Sequence, residues 1–129
     1  MSHARSTQRS GSIVQVTHDP LVAAANANAV YTDVWLSMGD SEEQRTTREH
    51  ALRSYQVNEA VMAEASPDAV FMHCLPAHRG DEVSAPVIDG PSSVVLDEAE
   101  NRMHTAQALL IALLCDELEG AASLAPGAT

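Results

Sequence analysis

The chain has 129 residues, is 45% hydrophobic and 19% charged, and sits among globular compositions. A chain of this length buries roughly two thirds of its surface on folding, enough for one core but not for two full domains and a cleft. Eighteen acidic residues against seven arginines and no lysine give a formal charge of −11; this argues against nucleic acid or anionic membrane as partners, since phosphate binding needs a basic field.

No run approaches the roughly 18 apolar residues of a membrane span. Residues 1–11 lack an apolar signal segment. Two cysteines, Cys74 and Cys115, are too few for a disulfide framework, so a reduced, cytoplasmic protein is expected.

In chain order, residues 1–11 (MSHARSTQRSG) are aperiodic and read as a flexible lead-in. Residues 12–17 (SIVQVT) are β-branched and short, the pattern of a strand. Asp19-Pro20 supplies an N-cap followed by proline at the first helical position, opening an Ala-rich helix over 21–28. Strand character returns at 29–34 (AVYTDV), and a loop comes next at 35–40. Ser41 with Gln44 forms a capping box for a helix to about Tyr55, and a second short helix spans 58–65.

Ser66-Pro67-Asp68 breaks that pattern. Residues 69–73 (AVFMH) form an apolar run of the buried-strand type. A loop covers 74–83, a helical turn 85–88, a turn Asp89-Gly90-Pro91, and a brief strand 93–96. The longest helix is expected over 98–119, and residues 121–129 are expected to be disordered. Strands alternating with helices predict an α/β protein with a parallel sheet. Ligands in such sheets bind beyond the carboxyl ends of the strands, which directs attention to the loops after 29–34 and 69–73.

The first loop holds Asp33, Ser37 and Gly39 in Asp33-Val34-Trp35-Leu36-Ser37-Met38-Gly39. A strand-end carboxylate pairs with an ammonium, but the same residues are ordinary turn chemistry. The second loop reads His73-Cys74-Leu75-Pro76-Ala77-His78-Arg79-Gly80-Asp81-Glu82. A reactive thiol, a binding loop and a plain buried cysteine all stay open there. A His/Cys metal site lacks a C-x-x-C pair or regular ligand spacing. His73 is poorly placed as a base for Cys74, because neighbours on a strand point to opposite faces.

The third segment is Glu98-Ala99-Glu100-Asn101-Arg102-Met103-His104. Met103, Ala106, Leu109, Leu110, Leu113 and Leu114 have helical spacing and read as core. Arg102 is expected in the first turn, where the helix dipole disfavours a cation; an anionic partner is invited, although Glu98 at i−4 also serves. His104 reads as a structural histidine.

Together, D-V-W-L-S-M-G, H-C-L-P-A-H-R-G and D-E-A-E-N-R-M-H, in this order and spacing, resemble the ornithine carbamoyltransferase family. Tyr55-Gln56-Val57-Asn58 and Asp89-Gly90-Pro91 are also similar to that family, and the resemblance covers about residues 11–114. It implies a partial Rossmann-like, three-layer parallel sheet with helices on both faces, lacking its opening strand–helix units. Residues 12–120 would form this partial ornithine-binding domain.

The activity implied is transfer of a carbamoyl group from carbamoyl phosphate to L-ornithine, giving citrulline and phosphate, a step of arginine biosynthesis or of a urea-cycle-type sequence. Asp33 and Ser37 would hold the ornithine α-amino group, and the Met38 N–H its carboxylate. Cys74 would lie beside the attacking amine, with the Cys74 and Leu75 carbonyls aligning it. Arg102 would polarise the carbamoyl oxygen. No metal or organic cofactor is implied, and family members are trimer-based homo-oligomers.

The family's first domain carries a phosphate-binding S-x-R-T-R segment and an H-P-x-Q segment, and neither is found in this sequence. The expectation is therefore a partial copy, inactive alone, or half of a split enzyme, or a non-catalytic amino-acid-binding remnant. The family's last helix reaches across to the carbamoyl-phosphate domain, so the leucines of 109–114 would be exposed without that partner.

Overall fold

The computed structural model describes residues 13–36 and 42–114. Helix α1 (Pro20–Ala24) starts as its sequence dictates: Asp19 Oδ1 accepts from the Leu21 and Val22 N–H groups, with proline inside the first turn. It stops early, at Ala24, because Asn26 takes a left-handed conformation with φ 58°. The chain then enters strand β1 (Ala29–Thr32).

Helix α2 (Glu42–Leu52) runs into a 3-10 turn over Arg53–Tyr55, so the helical stretch ends where the sequence predicts but its last turn is tightened. Ser41, its expected cap, lies outside the described residues. Asn58 caps α3 (Glu59–Glu64) through its side chain. Strand β2 (Val70–His73) comes next and pairs with β1 in parallel. This is a β–α–β unit, the α/β architecture expected, with a two-stranded sheet among the described residues.

Helix α4 (Ala85–Ile88) is one turn, closed at Gly90, where a Cβ would overlap the Pro86 carbonyl oxygen. Helix α5 (Val95–Leu114) is the longest element. The core gathers Val57, Val61, Phe71, Val83, Val87, Ile88 and Val95, with Phe71 and Val83 wholly buried. Full burial of a side chain such as Phe71 contributes about 2–3 kcal/mol.

Four expectations are corrected. Residues 13–17 form no strand: among the described residues no neighbouring strand offers them a ladder, and Ile13 and Val16 stay exposed. The strand expected at 93–96 shrinks to a single parallel bridge between Ser93 and Phe71. The Phe71 N–H donates to the Ser92 carbonyl and the Val94 N–H to the Phe71 carbonyl. The chain then turns into helix at Val95 rather than at Glu98. The apolar stripe of that helix is not core, as its spacing alone suggests, but exposed, as expected of this helix without a partner domain: Leu109, Leu110, Leu113 and Leu114 are 58%, 57%, 72% and 81% exposed. Their spacing marks an apolar face, but among the described residues nothing covers it. The expected lead-in, and the tail at 121–129, lie outside the described residues.

Contiguous exposed apolar surface promotes association despite net charge. Sedimentation velocity at tens of micromolar should show species larger than the monomer. Replacing Leu109, Leu110, Leu113 and Leu114 by glutamine should return the chain to monomer without loss of its cooperative melt.

Candidate functional site

The parallel register pairs Thr32 with His73, the last residue of each strand. The next residue of each chain segment, Asp33 and Cys74, must therefore emerge side by side at the carboxyl edge of the sheet. They do: the Cys74 thiol donates to Asp33 Oδ1 at 3.0 Å. The Asp33 carboxylate also accepts from the Val34 N–H at 2.7 Å. The thiol hydrogen bond and this N–H hold the Asp33 carboxyl below its usual range. The same contact with Asp33, joined by burial and the carboxylate's charge, pushes the Cys74 thiol up. The pair rests as carboxylate and neutral thiol.

Arg102 reaches this edge from α5, its Nη1 donating to the Cys74 carbonyl at 2.5 Å. Because the helix starts at Val95, Arg102 sits about two turns inside it, which corrects its expected place in the first turn. The helix dipole therefore plays no part in its setting. Glu98 instead turns to β2, where its Oε2 accepts from the His73 N–H at 3.1 Å. His104 lies 3.6 Å from Glu100 on the exposed side of the helix.

Tyr31 completes the cluster, although no motif marks it. Although its side chain is 53% exposed, partial desolvation, with the hydrogen bond and charge of Glu98, pushes the phenol up to about 12. A signal existed: Tyr31 stands two residues before Asp33, on the same face of a period-two strand.

The loop after β2 is held from below. Leu75 takes a left-handed φ of 49° before a cis bond to Pro76. Its N–H donates to His73 Nδ1 at 2.9 Å. With Nδ1 accepting, the His73 proton sits on Nε2, which faces Glu82 Oε1 at 3.2 Å. Both His73 and Glu82 are buried. His73 thus points away from Cys74, as strand alternation requires. Gln56 Nε2 donates to the Gly80 and Asp81 carbonyls, each at 2.8 Å, and Arg53 joins at Gly80. Gly80 has φ 93°, a conformation that favours glycine. The Arg79 guanidinium grips Asp89 through two bonds of 2.8 and 2.7 Å.

Asp33, Cys74, Leu75 and Arg102 are therefore brought to one edge of the sheet. Ser37 and Met38 lie outside the described residues. No helix among the described residues is long and apolar enough to cross a membrane.

A family model for the aspartate/ornithine carbamoyltransferase Asp/Orn-binding domain matches residues 1–113, and the chain belongs to that family. An ornithine carbamoyltransferase of Methylococcus capsulatus is 58% identical over 111 residues, covering 86% of this chain and 37% of that protein. One from Cereibacter sphaeroides is 55% identical over 100 residues, 78% of this chain and 32% of that protein. The solved ornithine carbamoyltransferase of Pyrococcus furiosus has 52% identity and a TM-score of 0.68, covering 73% of this chain and 30% of that one. The chain thus spans about a third of the length of these relatives.

The Asp33–Cys74 contact makes a solution prediction. In a Cys115→Ser background, Asp33→Asn removes the charge that holds the thiol protonated. The half-point of the alkylation-rate profile with iodoacetamide should then move to lower pH. An unchanged profile would show that the two side chains do not meet.

Proposed function

We propose that this chain is the amino-acid side of an ornithine carbamoyltransferase site, acting on L-ornithine and carbamoyl phosphate. The observation that carries this reading is the meeting of Asp33, Cys74 and Arg102 at the carboxyl edge of two parallel strands. A carboxylate there suits the α-ammonium of the amino acid. The Ser37 hydroxyl and the Met38 N–H would complete that grip.

The side-chain ammonium of ornithine resembles that of lysine, with a pKa of about 10.4, and must shed a proton before it attacks. The Cys74 thiol, held protonated by Asp33, is a hydrogen-bonding group at neutral pH and not a thiolate nucleophile. With the Cys74 and Leu75 carbonyls it would orient the neutral amine. The amine then forms a bond to the carbamoyl carbon and negative charge collects on the carbamoyl oxygen; as the carbonyl re-forms, phosphate leaves with the electrons of the broken C–O bond and takes up the proton that the nitrogen releases. A guanidinium has five N–H donors, so Arg102 can keep the Cys74 carbonyl and still meet that oxygen. Such a donor is worth ~3 kcal/mol in the transition state.

The phosphate must be held by groups that this sequence does not supply, since S-x-R-T-R and H-P-x-Q are absent from it. Much of the rate in a two-substrate reaction comes from holding both reactants together. Alone, the chain should therefore form citrulline slowly or not at all. Mixed with a carbamoyl-phosphate domain of the family, it should gain activity. Arg102→Ala should lower that regained rate about 100-fold, and Asp33→Asn should raise the KM for ornithine. Citrulline formed at ordinary enzymatic rates by the chain alone would overturn the reading of it as one side of a site. Mixtures that form a complex but no citrulline would overturn the assigned reaction.

A further inference from the structure

We propose that the turn over residues 78–82 is a divalent transition-metal site, made by His78, Asp81 and Glu82. Glu82 is the reason. Its side chain is 1% exposed, and a carboxylate is almost never buried unpaired. Oε1 accepts from the His78 N–H at 2.6 Å and meets His73 Nε2 at 3.2 Å. Oε2 is buried and has no hydrogen-bond partner among the described residues. His73 brings no positive charge, since its Nδ1 accepts from the Leu75 N–H.

What Oε2 faces is a metal-ligand set. His78 Nδ1 lies 3.8 Å away, and ligand atoms of His78, Asp81 and Glu82 all fall within 4.8 Å of one another. A tetrahedral ion about 2.0–2.2 Å from each ligand separates them by roughly 3.3–3.6 Å, so small side-chain movements close the set. His78 is exposed and Asp81 half-buried, which leaves those two free to move and a fourth position open to water. One imidazole and two carboxylates suit zinc or a neighbouring first-row ion. Magnesium and calcium prefer all-oxygen shells. The ion would neutralise Glu82 and tie down a turn whose carbonyls already hold Arg53 and Gln56.

Cys74 beside Asp33 is a rival pair of zinc ligands, so the experiment must separate the two. The full chain is titrated with zinc chloride by calorimetry, with thermal melting alongside. One ion should bind at this turn and raise the melting temperature, as any ligand selective for the folded state does. His78→Ala and Asp81→Asn alter groups at the surface and should each weaken zinc binding at least ten-fold, with the zinc-free melting temperature kept. Cys74→Ser should leave this binding intact. Glu82→Gln should abolish it, and if that variant does not fold the two surface variants still decide. Absence of zinc binding overturns the proposal. So does binding unchanged in His78→Ala and Asp81→Asn, or lost in Cys74→Ser.

Discussion

The constraint on which this structure turns is the register between two four-residue strands. Pairing runs from Ala29 with Val70 to Thr32 with His73, and it fixes where the chain leaves each strand. The first residue past each strand end emerges at the same edge, and there Asp33 and Cys74 meet. A slip of one residue would reverse the faces of an entire strand. It would also bring His73 out of the core, where it is fully buried against Glu82. The register is held by the apolar face beneath it: Phe71 has no exposed surface, and its main chain bonds on the other side to Ser92 and Val94.

The loop after β2 depends on that strand in a second way. Its left-handed residue, Leu75, costs roughly 1–2 kcal/mol in backbone energy. The bond from the Leu75 N–H to His73 Nδ1 offsets part of that cost. His73 is fixed in turn by Glu82, and the backbone beside Glu82 by Val57, whose N–H donates to the Glu82 carbonyl at 2.9 Å. Buried polar groups thus set the path of the loop, while Asp33, Cys74 and Arg102 gather at the exposed edge above it. Rigidity below the edge is how a short loop can present a carbonyl and a thiol in fixed relation.

Much of this was legible in the sequence, because local signals and tertiary structure agree. Asp19-Pro20 and the turn at Asp89-Gly90-Pro91 each act where their chemistry predicts. The strand 69–73 was plain from its apolar run, and parallel pairing then dictated the edge. The misses arose where the outcome depends on a neighbour. Residues 13–17 have strand composition, but a strand needs a partner, and none stands beside them among the described residues. The leucines of α5 have core spacing, but spacing does not say whether another surface covers them. Tyr31 and Glu82 carry no motif weight by themselves; their roles come from Glu98 and His73, distant in sequence and adjacent in space.

The proposed recognition of an amino acid by this sheet edge is separable from turnover, and the proposed chemistry of the chain rests on it. An amide chemical-shift titration of the full chain with L-ornithine tests it directly. Saturable shifts should cluster at Asp33, Val34, Cys74 and Leu75, with little change at the exposed end of α5. Shifts absent at saturating ornithine, or confined to residues far from the two strand ends, would contradict recognition at this edge.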